Sequence, residues 1–283
     1  MNTPRHLGPR WAALAAGAVT ASTAAMAQGQ DPGPPQPLWE VGVFGAAVSQ
    51  QAYPGSDQQV RRTIGVPYLI YRGGVLRADR ETAGLRALKT ERFEVDLGVA
   101  GAFAARSSEV QARRGLPDLG TLVEFGPRLK WNLARSDTGG RWRLDLPLRG
   151  VFDLDDGAAH RGMTFEPELS FQRRSPQGWT YSASASAILA DRRLAHTFYG
   201  IDPAYAQADR PAYAAQAGLV AWRLSTTWSR ALSPDWRVFG FARLQSVSGA
   251  ANEASPLVRR THGGSLGVGV SFTVTRSRQL AVD

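Results

Sequence analysis

The chain has 283 residues, a formal net charge of +9 at pH 7 and no cysteine. The absence of cysteine excludes a disulfide framework and a Cys-ligated metal site. A basic chain suggests nucleic-acid binding by default, but the N-terminal sequence predicts export, so we expect no nucleic-acid partner. Anionic lipopolysaccharide, murein and anionic solutes are the acidic partners that an exported protein meets.

The N-terminal residues have the parts of a secretory signal peptide. Arg5 and Arg10 precede an apolar run that ends in small residues around Ala27. This pattern predicts a signal peptide over residues 1–27 with cleavage after Ala27, followed by a disordered Pro-rich leader over residues 28–37. No later stretch has 18 consecutive apolar residues, so a membrane span of the mature chain would have to consist of strands.

Alternating apolar and polar residues predict the first strands of the mature chain. Residues 38–49 form the first strand, and the second carries an apolar face from Ile64 to Ile70. Residues 75–88 are ambiguous because the alternation changes phase, so they hold two short strands or none. Clean alternation returns at residues 93–103.

The clearest prediction is a β-hairpin over residues 121–154. Two alternating runs of about eleven residues are joined by a turn rich in Ser, Asp and Gly. Strands of soluble sandwiches have about five or six residues, whereas a tilted strand that crosses a bilayer needs roughly 9–11. The greater length favours transmembrane strands, with the apolar face against lipid and the charged face toward a wet interior.

Five further strands are predicted in the C-terminal half, at residues 163–171, 179–189, 218–228, 236–245 and 265–274. Short turns near residues 136, 177 and 234 alternate with long loops near residues 156, 202 and 252. Tryptophans fall close to the short turns, as an aromatic girdle at one membrane interface would; they are Trp131, Trp142, Trp179, Trp228 and Trp236.

We therefore predict an all-β fold, a transmembrane antiparallel up-and-down β-barrel in the cell outer membrane. The barrel is expected over residues 38–275 and a C-terminal tail over residues 276–283. The mature chain shows no helical periodicity of useful length. Bacterial barrels have even strand numbers, so the eleven candidate strands predict about twelve, with ten as the alternative.

Charged residues on the polar faces of these strands are expected to line the interior. Two functions follow from one arrangement: opposite charges that pair across neighbouring strands close the barrel into a platform, whereas solvated Arg side chains make an anion-preferring pore. The near balance of signs favours pairing. The residues are Glu94, Asp96, Glu124, Arg128, Lys130, Arg141, Arg143, Asp145, Arg149, Glu166, Glu168, Arg223, Arg237 and Arg243.

We expect no catalytic residue, no metal and no cofactor. His262 precedes Ser265 by three residues, a spacing that points the two side chains to opposite faces of a strand, so they do not form a nucleophile and base pair. The acidic residues at 153–156 are interpreted as a solvated loop, with a divalent cation site as the alternative. The arginine pairs at 113–114 and 259–260 are interpreted likewise, with binding of lipopolysaccharide phosphates as the alternative.

Several short motifs, taken in order, resemble those of a known family. They include the residues Tyr53, Gly55, Ser56, Asp57, Pro67, Arg77, Asp79, Arg80, Arg114, Gly115, Pro117, Asp118 and Pro256. On these motifs the sequence resembles the MltA-interacting protein (MipA) family, also called the outer membrane protein V family, over residues 38–274. Members usually end at an aromatic residue of the last strand, whereas this chain continues past Val274.

The resemblance implies an outer-membrane barrel and, for the named member, a scaffold that joins a lytic transglycosylase to a murein synthase, a bifunctional penicillin-binding protein. We therefore expect a non-enzymatic scaffold whose periplasmic turns or leader contact murein-remodelling enzymes, and whose surroundings are outer-membrane lipid and lipopolysaccharide. One alternative is a narrow porin for small anionic solutes. A further alternative is a surface adhesion protein that acts through residues 191–212.

Overall fold

The computed structural model describes residues 36–73, 76–78, 83–90, 92–102, 107–136 and 139–281. The predicted signal peptide, nearly all of the predicted leader and the last two residues of the predicted tail lie outside these ranges. Within the described part of the chain, no helix is long and apolar enough to cross a membrane.

The structure is built from strands and one short helix. In chain order they are β1 (Trp39–Gln51), β2 (Gln59–Arg72), β3 (Leu76–Ala78), β4 (Ala83–Lys89), β5 (Phe93–Ala102), β6 (Leu122–Arg135), β7 (Arg141–Asp153), β8 (Ala159–Phe165), β9 (Glu168–Arg174), β10 (Trp179–Ala190), α1 (Arg192–Tyr199), β11 (Gly218–Ala231), β12 (Trp236–Ser246) and β13 (His262–Arg276). The ambiguous region at residues 75–88 thus contains two strands, β3 and β4.

All the strands belong to one antiparallel sheet, and the sheet is closed. Apart from β8 and β9, which do not pair with each other, each strand pairs with its neighbours in the chain, and β13 returns to pair with β1, with Val43 opposite Phe272. Both β8 and β9 pair with β7 on one side and with β10 on the other. They are two halves of one strand, interrupted at Glu166 and Pro167 because proline cannot donate a ladder hydrogen bond.

The closed sheet turns large apolar side chains outward and polar side chains inward. Leu69 is 62% exposed and Leu224 is 58% exposed, whereas Asp96 is 0% and Ser182 is 4% exposed. A water-soluble protein of this size buries its large aliphatic residues and exposes its charges. The alternation therefore places apolar side chains outside and polar side chains inside, the reverse of a water-soluble protein. A sheet whose outer surface lies in an apolar medium has this arrangement.

Aromatic rings form contacts on the outer surface near the short turns. Trp131 packs on Phe93 with ring centroids 5.5 Å apart, Trp179 on Trp228 at 5.8 Å, and Trp236 on Phe272 at 4.8 Å. The predicted tryptophans are thus joined by phenylalanines of neighbouring strands. Such pairs add about 0.5–1.5 kcal/mol beyond the area that they bury.

Strand β2 departs from the expected orientation. Its apolar face, which includes Ile64 and Ile70, lies on the same side as the buried Arg72 and points into the closed sheet. Arg72 pairs there with Glu40 at 2.8 Å. Thr63, among the small and weakly polar residues of the other face, is exposed on the outside. Neither face of β2 carries a charge in its central part, so alternation alone could not decide which side faces inward.

Two connections also differ from the sequence prediction. The loop after β10 contains α1, which begins where the Asp191 side chain accepts a hydrogen bond from the backbone N–H of Leu194 at 2.8 Å. A helix of eight residues is too short for a periodic signal. The connection near Asp156, predicted to be long, has only five residues between β7 and β8, because Asp153 caps a 3-10 turn that ends at Gly157 in the left-handed region.

Candidate functional site

The inner face of the closed sheet carries a group of four paired charges on β5 and β6. Asp96 faces Arg128 and Glu94 faces Lys130 in the strand register. Arg128 Nη2 lies 2.7 Å from Asp96 Oδ2, and Lys130 Nζ lies 2.8 Å from Asp96 Oδ2 and 2.9 Å from Glu94 Oε1. Since Asp96 is fully buried, its charge is compensated by both cations rather than by water.

Three further ion pairs continue around the inner face. Arg149 Nη1 contacts Glu124 Oε2 at 3.0 Å between β7 and β6. Arg143 Nε contacts Asp145 Oδ1 at 3.0 Å along β7. Arg223 Nη1 contacts Glu166 Oε1 at 2.5 Å across β10, and Ser186 Oγ donates to the same carboxylate at 2.9 Å. Opposite charges are thus paired across and along neighbouring strands.

The other predicted interior charges lie on the same face but outside these pairs. Glu168 is buried opposite Asp145 in the strand register. Arg141 lies at the short-turn end of β7, opposite Gln172. On β12, Arg237 lies opposite Ser271 and Arg243 lies opposite Ser265, with the Arg243 guanidinium carbon 5.6 Å from the ring centroid of Phe241.

At the opposite end from the short turns, the connecting segments fold together into one structure, which we call the loop cap. It consists of residues 52–58, 107–121, 191–217 and 247–261. Its own apolar core contains Tyr53, Val110, Leu116, Leu119, Leu194, Tyr199, Ile201, Ala215, Val247 and Leu257. These side chains come from all four segments, so the cap has a common core rather than separate loops.

Two tyrosines join the segments of the loop cap. Tyr53 donates to the carbonyl oxygen of Leu257 at 2.7 Å, and Tyr199 donates to the carbonyl oxygen of Pro54 at 3.0 Å. Ser255 Oγ donates in turn to the carbonyl oxygen of Tyr199 at 2.8 Å. Burial raises the pKa of Tyr53 to about 12, against the lowering effect of the nearby Arg113 charge, and burial also raises the pKa of Tyr199. Both hydroxyls therefore remain donors at physiological pH.

Two buried arginines fasten the same segments through backbone carbonyls. Arg113 is 4% exposed and donates to the carbonyl oxygens of Phe198 at 3.0 Å and Pro117 at 3.2 Å. Burial lowers the pKa of Arg113 to about 10. Arg210 donates to the carbonyl oxygens of Ala112 at 3.1 Å and Arg114 at 2.8 Å. Both interpretations of Arg113 are therefore wrong, the solvated loop charge and the binding of lipopolysaccharide phosphates, because its guanidinium lies inside the cap.

Most of the motif residues singled out in the sequence meet in the loop cap. Tyr53, Gly55, Ser56 and Asp57 lie in its first segment, Arg114, Gly115, Pro117 and Asp118 in its second, and Pro256 in its last. Gly55 has φ of +93° and its carbonyl oxygen accepts the backbone N–H groups of Arg259 and Arg260, a conformation that favours glycine. Pro67 lies in β2 and Arg77 in β3, while Asp79 and Arg80 lie outside the described residues.

The acidic turn after β7 is occupied by protein donors. Asp153 accepts two hydrogen bonds from Arg161, the shorter at 2.8 Å, and Asp155 accepts the backbone N–H and the hydroxyl of Thr121 at 2.8 and 3.0 Å. Asp156 contacts Arg161 at 2.9 Å. Across the described ranges, no three His, Asp or Glu side chains are placed to hold a metal ion.

Residues 41–274 match the family model described as MltA-interacting protein MipA. The chain belongs to this family. The match runs from the third residue of β1 to the third-last residue of β13, so the paired charges and the loop cap both lie within the MipA-like region. No curated protein sequence matches the chain.

Solved structures that resemble this MipA-family chain include a porin and two outer membrane proteins. The NanC porin covers 82% of this chain and 98% of its own at 11% identity and a TM-score of 0.38. The COG4313 outer membrane channel from Pseudomonas putida F1 covers 86% and 99% at 10% identity and a TM-score of 0.38. OmpT, an outer membrane protein of Vibrio cholerae, covers 83% and 98% at 7% identity and a TM-score of 0.35.

Proposed function

We propose that this MipA-family protein is a twelve-stranded outer-membrane β-barrel that acts as a non-enzymatic platform for murein-remodelling enzymes. The apolar outer surface and the aromatic contacts near the short turns support a membrane location. The count of twelve treats β8 and β9 as one strand, and an even number agrees with bacterial barrels. The proposal includes export of the chain through the predicted signal peptide.

The loop cap is the observation that carries the platform function. A porin needs a water-filled path at both ends, whereas here four connecting segments share an apolar core across one end. The ion pairs on the inner face also support the platform, because paired side chains present less solvated charge to the interior than free ones would. Exposed cap surface lies at one end and the short turns lie at the other.

We place the contact with the enzymes at the short-turn end. Both ends of the described chain lie there: Leu38 donates its backbone N–H to the carbonyl oxygen of Gln279 at 2.8 Å. The family description names MltA as an interacting protein, and a lytic transglycosylase of that type, with a murein synthase, is the partner that we propose. The short-turn end also presents exposed cations, among them Arg173 and Arg174, which suit an acidic partner surface.

Charge reversal at the two ends tests this contact. We expect the Arg173→Glu and Arg174→Glu double variant to weaken binding of a purified lytic transglycosylase about tenfold or more, measured by capture on the detergent-solubilised mature protein. The matched control is Arg259→Glu with Arg260→Glu, an exposed adjacent pair in the loop cap, which should bind normally. Equal binding by both variants, or no binding by the unmodified protein, would contradict the proposed contact.

The alternative function is a narrow pore for small anions. It is favoured by the inner residues named above, which comprise eight bases and six acids. Planar-bilayer recordings separate the two functions: the platform predicts no steady conductance from the purified protein, whereas a pore predicts discrete open channels with anion preference. Such channels in the unmodified protein would favour the alternative.

A further inference from the structure

The inner face of the closed sheet has an apolar region that the platform function does not use. On β1, β2 and β12 the inward residues include Phe44, Val48, Ile64, Val66, Tyr68, Phe239 and Phe241. Val48 and Phe241 pack together as a small buried cluster. Phe44, Ile64, Val66, Tyr68 and Phe239 remain only half-buried although they point inward, so neighbouring side chains do not cover them completely.

Glycines on the neighbouring strand β13 leave room for the rings of Phe239 and Phe241. Phe241 faces Gly267 and Phe239 faces Gly269 in the register of β12 and β13. A Cβ atom at Gly267 would lie 2.4 Å from the Phe241 ring, and one at Gly269 would lie 2.5 Å from the Phe239 ring. Since these separations are shorter than any real contact, glycine is required at both positions for the two rings to pack against β13.

Most of the inner ion pairs lie on the opposite side of the interior. Counting β8 and β9 as one strand, β1 and β7 are six strands apart in both directions around the closed sheet. The pairs made by Asp96, Glu124 and Arg143 lie on β5, β6 and β7. Arg223 on β11 reaches Glu166 in the connection between β8 and β9. The Arg72–Glu40 pair lies apart, at the short-turn ends of β2 and β1. An apolar wall therefore faces a charged wall, and the interior is amphipathic.

Positive charge flanks the apolar wall along β12. The consecutive inward residues of this strand are Arg237, Phe239, Phe241 and Arg243, so two aromatic rings lie between two guanidinium groups. The six residue-to-residue steps from Arg237 to Arg243 correspond to about 20 Å of strand. A guanidinium has five N–H donors, so each arginine can serve a protein partner and an anion together.

We propose that the interior binds an amphipathic organic anion, a medium-chain alkyl carboxylate, with its chain on the apolar wall and its carboxylate at Arg237. The chain would cover the half-buried rings and aliphatic side chains, whose contact with water is unfavourable. The carboxylate lies at Arg237 because this residue is nearer the short turns, while the loop cap closes the end nearer Arg243. This site is independent of the proposed platform function, because it depends only on the inward residues.

Fluorescence of dansylaminoundecanoate, an alkyl carboxylate that brightens in apolar surroundings, tests the proposal. The mature protein is reconstituted in vesicles, and the signal of protein-free vesicles is subtracted. We expect saturable binding that dodecanoate displaces and that dodecanol displaces at least tenfold less well. The Phe239→Ala and Phe241→Ala double variant should weaken binding about tenfold or more.

Three further variants keep the result interpretable. Arg237→Gln should weaken binding of the carboxylate about tenfold while leaving the affinity for dodecanol unchanged. Phe125→Ala, which truncates an exposed ring on the outer surface, should bind the probe normally. Ile64→Ser tests the same wall from β2 if the double variant does not fold, as judged by its gel mobility with and without heating. Absence of saturable binding, or equal loss in Phe125→Ala, would overturn the proposal.

Discussion

Replacing Asp96 with alanine is expected to lower the free energy of unfolding by about 3–5 kcal/mol. Asp96 is fully buried on the inner face, and its carboxylate contacts Arg128 at 2.7 Å and Lys130 at 2.8 Å. Removing the acid leaves two cations close together with one compensating carboxylate fewer. Urea titration of the protein in lipid vesicles, followed by tryptophan fluorescence, measures the loss.

The control for this prediction is an acid of the same type in the exposed part of the chain. Asp209 is exposed in the loop cap, so Asp209→Ala should change the free energy of unfolding by less than about 0.5 kcal/mol. A loss below about 1 kcal/mol for Asp96→Ala would mean that water reaches the two cations. The inner charges would then be solvated rather than stabilised by pairing, which would support the pore alternative.

Replacing Tyr199 with alanine is expected to open the loop cap. Tyr199 is 1% exposed, packs in the cap core and donates to the carbonyl oxygen of Pro54. Truncating a buried aromatic residue costs about 3–5 kcal/mol, a loss that falls on the cap rather than on the strand ladder. We expect faster proteolysis of the cap segments in intact vesicles and the appearance of conductance in planar bilayers.

Two variants serve as controls for Tyr199→Ala. Tyr205→Ala lies in the same connection but is exposed, so it should leave proteolysis and conductance unchanged. Tyr199→Phe keeps the ring and removes one hydrogen bond, which costs about 1 kcal/mol and should have a small effect. If Tyr199→Ala loosens the cap and the protein stays non-conducting, the paired charges rather than the cap prevent ions from passing through the barrel.

The strands could be predicted from the sequence because their signal is local. Period-two alternation over long runs located β6, β7, β10 and β13, and the same parity placed Glu94, Asp96, Arg128 and Lys130 on one face of their strands. Which charges pair is set by register, since Asp96 lies opposite Arg128 only once β5 and β6 are aligned. The sequence carries no direct signal for that alignment.

The loop cap and the orientation of β2 could not be predicted for physical reasons. Tyr53 and Leu257 are more than two hundred positions apart in the chain, and contacts between irregular segments leave no periodic pattern. In the sequence Arg113 has the appearance of a surface cation. In the structure it donates to the carbonyl oxygens of Pro117, in its own segment of the cap, and of Phe198, in another segment. In β2 neither face carries a charge in its central part, so the alternation gave no reliable direction.

Adjacent cysteines on β11 test the central proposition, that hydrocarbon covers the outer surface. The chain has no cysteine of its own, so Leu224→Cys, on the outward face, and Ser225→Cys, on the inward face, can each carry a nitroxide label in vesicles. We expect the label at position 224 to collide with oxygen and to be shielded from a water-soluble nickel chelate. The label at position 225 should show lower oxygen exposure. Greater access of the nickel chelate to position 224 than to position 225 would contradict the central proposition.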